Sequence, residues 1–376
     1  MPSQAKTHQG YYVGTMTGTS GDGLDISLIE IDEFGGVNFV SAETFEFQDD
    51  LRKKLLGLSH PKENEIERMG ECDTELGHFT GISVLKFLAS VGIAKEQVIA
   101  VGSHGQTIRH RPPSAFNPNP FTIQIGNPHL ITEITGITTV ADFRRRDLAA
   151  GGQGAPLVPA FHQTLFEAKA PKSIILNIGG ISNITVFEKN LMGFDTGPGN
   201  CLMDAWILRS KNEFFDKAGQ WASQGKIIEP LLQHLMEDTY FNDPPPKSTG
   251  REYFNINWAK QRYGPLSTLD NTDVQATLCE LTVVTILSSI QKLNLEPSEI
   301  IVCGGGRLNT HLMNRLKQQS NCPIMTSDEY SINGDYIEAS AFAWLSYKNL
   351  MGMPANTPLV TGASDDRVLG TVFKSD

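Results

Sequence analysis

The feature that most constrains this chain is a unit of design that occurs twice. A strand over residues 11–19 runs into Gly18-Thr19-Ser20-Gly21-Asp22-Gly23-Leu24-Asp25, and a strand returns over 26–31. A buried-type strand over 173–178 runs into Gly179-Gly180-Ile181-Ser182-Asn183, and 184–187 returns. Asp22-Gly23 between two strand-like runs is a short-hairpin signal. The two units share few letters, so what repeats is architecture. Glycine lets backbone N–H groups approach phosphate oxygens without a Cβ in the way. No Gly-Lys-Ser/Thr follows the first turn, so it is not a Walker loop. A third turn, Gly304-Gly305-Gly306, follows an apolar strand over 299–303. Singly, each turn reads equally well as an ordinary hairpin or strand–helix turn. Together they predict a duplicated α/β fold with a nucleotide wedged between two domains. One hairpin per side would meet the phosphates, and the third turn would lie against the adenosine. The expected nucleotide contacts are Gly18, Thr19, Ser20, Gly21, Asp22, Gly23, Leu24, Asp25, Asn177, Gly179, Gly180, Ser182, Gly304, Gly305 and Gly306.

The remaining pattern alternates strands with helices, which argues for α/β architecture. Strands are expected over 98–103, 121–125 and 138–143. Helices are expected over 51–58, 63–91, 272–292, 310–319 and 337–350, and from about 201. Asn200 is a plausible N-cap for the last of these, and Asn271 or Thr272 for the helix over 272–292. The stretch 148–156 is small and loop-like, and a domain boundary is expected near it.

Lys and Arg total 31 against 42 Asp and Glu, a formal charge of −11. That argues against nucleic acid and against a polybasic attachment to anionic lipid. An anionic ligand must then be held by local N–H groups, a metal ion and a few placed cations. The cysteines (Cys72, Cys201, Cys279, Cys303, Cys322) are odd in number and free of CxxC spacing. A reducing, cytoplasmic setting is expected, without a disulfide framework or structural zinc. The N-terminus is polar and no apolar run reaches about 18 residues, so neither a signal peptide nor a membrane span is expected.

Asp195 lies in Gly193-Phe-Asp-Thr-Gly-Pro-Gly-Asn200, read as a turn. Phosphoryl transfer needs alignment, charge stabilisation and a base, and a carboxylate at a strand end can be that base. Asp195 also reads as the cap of its own turn. In Asp142-Phe-Arg-Arg-Arg-Asp147, continuation of the strand would put Arg144 and Arg146 on one face, suited to a carboxylate or phosphate. The same letters read equally as a surface salt-bridge row with Asp142 and Asp147. His104 and Gln106, with Gln124 and Asn127, offer neutral groups for sugar hydroxyls and amides, although a lone His is commonly a core residue. Residues 247–252 read as a mobile lid or a solvated loop. Glu338 heads the last long helix, where a helix-dipole role is the plain account.

In combination these stretches resemble the anhydro-N-acetylmuramic acid kinase family. The resemblance is carried by Met16-Thr-Gly-Thr-Ser-Gly-Asp-Gly-Leu-Asp25, Gly102-Ser-His-Gly-Gln-Thr-Ile-Arg109, Ala141-Asp-Phe-Arg-Arg-Arg-Asp147 and Ala149-Ala-Gly-Gly-Gln-Gly-Ala-Pro-Leu157. It continues through Asn177-Ile-Gly-Gly-Ile-Ser-Asn183, residues 193–200, 247–252 and Cys303-Gly-Gly-Gly306. Gly21 stands where the family more often has Leu. The resemblance implies the two-domain, actin-like ATPase fold (a duplicated ribonuclease H-like unit) with an interdomain cleft for ATP and sugar. It implies ATP-dependent hydrolysis of the 1,6-anhydro bond with phosphorylation of O6, Mg²⁺, cell-wall recycling in the cytoplasm, and a homodimer. Asp195 would be the base that activates water, and Glu338 would help hold sugar or water. Arg146, with Arg144, is expected at the lactyl carboxylate of the amino sugar, and Asp22 and Asp25 at Mg²⁺ through water. Domain I is expected over 1–143 plus 365–376, and domain II over 144–364.

Overall fold

The structure is a computed structural model. It describes residues 8–18, 23–58, 61–113, 117–167, 169–187, 191–251, 253–330 and 332–375. Its strands are β1 (Gly10–Thr17), β2 (Gly23–Ile31), β3 (Val37–Glu46), β4 (Val98–Ser103), β5 (Gln106–Arg111), β6 (Phe121–Ile125), β7 (Thr139–Ala141), β8 (Ile174–Ile178), β9 (Ile181–Val186), β10 (Met192–Pro198), β11 (Ile300–Cys303), β12 (Ile324–Thr326) and β13 (Thr371–Phe373).

The chain divides into two compact units: residues 1–165 with 336–376, and residues 166–335. Unit one holds a six-stranded sheet in the order β13-β7-β4-β1-β2-β3. Unit two holds a five-stranded sheet in the order β10-β9-β8-β11-β12. In each, the first three strands form an antiparallel meander. In each, the fourth strand pairs parallel with the first and the fifth parallel with the fourth. The duplication predicted from the two hairpins is therefore a duplication of the whole five-strand order, with β13 added in unit one.

Sequence explains the central strands best. β8 is buried at every position and apolar except for Asn177, as strands covered on both faces are. The Asn271–Lys292 helix is apolar enough and long enough to cross a membrane by composition. Here it is the core helix of unit two, with Val274, Leu278, Leu281 and Ile286 fully buried. Its cap is Asp270, which accepts from the Thr272 and Asp273 amides, rather than Asn271 or Thr272. Asn200 does occupy the N-cap position before Cys201, but without a side-chain capping bond.

Both expected domain boundaries move. The helix Ile337–Leu350 belongs to unit one, because its backbone lies directly on the sheet. A Cβ on Gly14 of β1 would stand 1.8 Å from the Ala339 carbonyl oxygen, and one on Gly102 of β4 would stand 2.0 Å from that of Phe342. Ser27 and Ser340 hydroxyls pair at 2.7 Å. The 148–156 stretch lies inside unit one, helical at Leu148 and Ala149 and a loop from residue 150, held by the fully buried Asp147. Its carboxylate accepts from the Gly154 amide at 2.7 Å, Asn356 Nδ2 at 3.0 Å and the Thr361 hydroxyl at 2.7 Å. Composition flagged a loop correctly but could not report contacts more than 200 residues away.

Two local readings also change. Residues 193–198 are strand rather than turn: β10 is an edge strand with a bulge between Asp195 and Gly197, where Gly and Pro are tolerated. The strand over 138–143 stops at Ala141. Asp142 takes φ +58 and a short helix, Arg145–Ala149, follows. Strand alternation therefore does not place Arg144 and Arg146 on one face.

Candidate active site

In unit two, parallel pairing of β8 with β11 sets Asn177 beside Cys303 and brings two of the predicted Gly turns together. Gly304 has φ +76, and a Cβ there would stand 2.3 Å from Asn177 Oδ1; one on Gly306 would stand 2.3 Å from Ile178 Cγ2. Gly305 has open space at its Cβ position. The β8–β9 turn at Gly179 and Gly180 is braced from below, since the Asn200 and Cys201 amides donate to the carbonyls of Gly179 and Gly180. Above Gly180 lies the Arg251 guanidinium, whose Nε would be 2.6 Å from a Cβ there. Ser182 is fully buried and pairs with the Thr196 hydroxyl at 2.6 Å, so it ties β9 to β10.

Asp195 sits on β10 at 7% exposure. Its amide donates to Lys247 O at 3.2 Å. Its Oδ2 accepts from the Thr249 amide at 2.9 Å, and its carbonyl accepts from the Tyr240 hydroxyl at 2.9 Å. The 247–251 segment is thus packed onto both the Asp195 carboxylate and the Gly179–Gly180 turn. It is neither a free lid nor a solvated loop. Lys247 is 9% exposed, and burial lowers its pKa to about 8, with Lys292 adding to the effect and Asp243 and Asp195 opposing it. Tyr240, Lys247, Thr249 and Arg251 were not singled out in sequence. The motif 247–252 was the signal, but its contact with Asp195 spans about fifty residues and carries no local pattern. A pocket of about 450 Å³ in the same unit, lined by His234, Glu237, Tyr253, Trp258, Gln261 and Arg262, contains none of the predicted residues.

In unit one, His104 is buried against Phe342, ring centroids 4.6 Å apart. Its Nδ1 lies 2.8 Å from Gly105 O, which assigns the proton to Nδ1. Nε2 then accepts from Arg144 Nε at 3.0 Å, and Arg144 Nη1 donates to Gly154 O at 2.8 Å. Burial, and then the Arg144 charge, push the His104 pKa well below its ordinary value. His104 is accordingly a neutral acceptor that aims Arg144. Arg146 is exposed on the Arg145–Ala149 helix and is not brought to this group. Gln106 is buried. Its Oε1, the hydroxyls of Thr15 and Thr17, and His110 Nε2 are buried polar atoms without a hydrogen-bond partner among the described residues. Buried polar groups are normally satisfied, so these fit a hydroxyl-rich ligand. Thr15, Thr17 and His110 were missed in sequence because each looks like an ordinary strand residue.

Of the first hairpin, Thr19, Ser20, Gly21 and Asp22 lie outside the described residues. Gly18 follows Thr17, the last residue of β1, and Gly23 opens β2. Leu24 is a core residue at 1% exposure. Asp25 Oδ1 accepts from Thr44 at 2.6 Å. Among the described residues no cluster of three or more His, Cys, Asp or Glu could ligate a metal. Glu338 stands in the first turn of Ile337–Leu350, in unit one rather than in the second domain.

A family model described as anhydro-N-acetylmuramic acid kinase matches residues 10–375. The chain is 44% identical over 367 residues to the anhydro-N-acetylmuramic acid kinase of Coxiella burnetii strain Dugway 5J108-111, covering 96% of this chain and 97% of that one. It is 46% identical over 365 residues to that of Pseudomonas fluorescens strain Pf0-1, covering 96% and 99%. Among solved structures, the activator of the 2-hydroxyisocaproyl-CoA dehydratase from Clostridium difficile with bound ADPNP is similar at TM-score 0.43 and 10% identity, over 91% of this chain and 96% of that chain. With a family match that runs from β1 to β13 and takes in every motif described above, the chain belongs to the anhydro-N-acetylmuramic acid kinase family.

Proposed function

We propose that this protein is an ATP-dependent kinase that opens 1,6-anhydro-N-acetylmuramic acid and phosphorylates its O6, giving N-acetylmuramic acid 6-phosphate and ADP in cell-wall recycling. In the anhydro sugar O6 is bound to C1 and carries no proton. Water must form the new bond to C1, the C1–O6 bond must break, and O6 must take the γ-phosphoryl group as its bond to ADP breaks. Asp195 takes the proton from water. The observation that carries this role is a carboxylate buried on an edge strand, with Oδ2 fixed by the Thr249 amide and oriented before the substrate arrives.

The Gly179–Gly180 and 304–306 turns, with residues 18–25, are assigned to the nucleotide, and Arg251 beside Gly180 to a phosphate. Asp25 would meet, through water, a Mg²⁺ ion carried by ATP, which would supply neutralisation of phosphate charge. Arg144, aimed by His104, is assigned to the lactyl carboxylate, Gln106 to sugar hydroxyls or the amide, and Glu338 to the sugar or the water. A homodimer in a reducing cytoplasm belongs to the same reading. The five free cysteines support the reducing setting, and light scattering on the eluted protein tests the dimer.

The direct test is ADP formation with and without the anhydro sugar. ADP is expected only with the sugar. In ¹⁸O-water the label should enter at C1 and not at O6 or the phosphoryl group, read promptly because the free hemiacetal exchanges. Sugar-independent ADP release, or label absent from C1, would reject the bond-opening reaction.

A second expectation concerns Arg144. Arg144→Ala should raise KM for the anhydro sugar by about 10- to 100-fold, the scale of a lost charge-assisted pair. KM for ATP should stay within about twofold. An equal rise for an analogue that lacks the lactyl carboxylate would remove the assignment.

A further inference from the structure

Lys247 carries a charge in a place where an uncharged side chain would pack. The residue is 9% exposed. Its Nζ donates to Tyr240 O at 2.8 Å and stands 4.5 Å from the Tyr240 ring centroid and 5.8 Å from that of Phe194. Burying an ammonium is costly, and a well-packed apolar residue commonly serves stability as well or better. The charge therefore points to a role beyond packing. Three contacts close a ring around Asp195. The Asp195 amide donates to Lys247 O, the Lys247 ammonium donates to Tyr240 O, and the Tyr240 hydroxyl donates to Asp195 O. Two residues beyond Lys247, the Thr249 amide donates to Asp195 Oδ2.

We infer that Lys247 is a positioning residue for Asp195: its ammonium pins the 247–249 segment against Tyr240, so that the Thr249 amide holds the carboxylate in one orientation. The inference rests on the reading of Asp195 as the base. The charged or titratable groups that face Lys247 are Asp195 from β10, Asp243 beyond the Thr239–Asn242 turn, Lys292 from the end of the Asn271–Lys292 helix, and the Tyr240 phenol. Lys292 holds the same turn through Phe241 O and Asn242 Oδ1. Burial keeps the Tyr240 phenol protonated far above neutral pH. The group that changes in the working range is Lys247, whose charge is lost as pH rises through about 8. As it becomes an amine, the cation–π attraction disappears and the bond to Tyr240 O weakens.

The test uses the full chain with Lys247→Met and Lys247→Arg, measured by steady-state kinetics across pH and by amide hydrogen exchange of the 247–251 segment. Lys247→Met is expected to lower kcat by about 10²-fold, the effect of a misplaced catalytic group. Both KM values should stay within about threefold, and exchange of the Thr249 amide should rise at least about tenfold. In the unsubstituted protein kcat should fall above about pH 8. Lys247→Arg, which keeps its charge at any accessible pH, should move that fall upward by about one pH unit or more. A methionine variant with unchanged kcat and unchanged Thr249 protection would overturn the inference. If the methionine variant does not fold, Thr249 protection in the unsubstituted protein decides. Constant protection from about pH 7 to 9.5, after correction for intrinsic rates, overturns it equally. Full activity of Asp195→Asn would instead reject the base assignment, while the Thr249 exchange would still report on the clamp.

Discussion

Asp195→Asn is expected to lower kcat by about 10³- to 10⁴-fold while leaving KM for ATP and for the anhydro sugar within about threefold. The size follows from the chemistry. A positioned base contributes about 10²- to 10⁴-fold, and here a single group must activate the water whose attack releases O6. Nothing else on β10 can replace it. Thr196 is fully buried and its hydroxyl is taken by Ser182, and residue 197 is glycine. The fold should tolerate the change, because an amide oxygen can accept from the Thr249 amide as the carboxylate does. The contacts of Asp195 through its own amide and carbonyl do not depend on its side chain. Loss of kcat with intact binding therefore separates a base from a binding group. Binding is read by calorimetry with the unhydrolysable nucleotide and the sugar together. Activity within about tenfold of the parent would take Asp195 out of the chemistry and leave it only as the acceptor for the Thr249 amide.

How much of this was legible in sequence depended on whether the information was local. The hairpin over β8 and β9, the strand β4 and the helices Thr310–Gln319 and Ile337–Leu350 were readable because apolar runs and turn residues lie within a few positions of one another. β3 was not, since it is an edge strand exposed on most of its length and lacks clean alternation. β10 was misread because Gly and Pro usually mark turns, and only the pairing with β9 shows that a bulged edge strand accommodates them. The active-site letters divide the same way. Asn177 and the Gly304 turn were each visible, but their contact needs the β8–β11 pairing. The Arg144–His104 bond spans forty residues and replaced a strand-alternation argument that failed at Asp142. The clamp from residues 247–249 onto Asp195 belongs to the same class of non-local fact.

The second large effect concerns stability and turns on the Ile337–Leu350 helix of unit one. Gly14→Ala is expected to destabilise unit one by about 3 kcal/mol or more, the upper range for overpacking. The added Cβ would stand 1.8 Å from Ala339 O and 2.6 Å from Ala343 N. Those are backbone atoms of a helix that packs along its length against β1, β2 and β4. A side-chain end could rotate away, but a helix backbone can only lift, and lifting it uncovers the fully buried Ala339, Ala343 and Ile29. Gly102→Ala should act alike, because its Cβ would stand 2.0 Å from Phe342 O. The two should be less than additive, since one displacement of the helix relieves both. Gly70→Ala supplies the opposite sign. It lies in the exposed interior of the Glu65–Ser90 helix with nothing within 4 Å of its Cβ position. The substitution should stabilise by about 0.5–1 kcal/mol through helix propensity alone. Thermal unfolding resolves the contrast, with a fall of roughly 6–12 °C for Gly14→Ala against a rise of a few degrees for Gly70→Ala. An unchanged midpoint for Gly14→Ala would mean that the helix does not rest on β1 as described. A unit boundary at 335/336, with Glu338 in unit one, would then lose its packing basis as well.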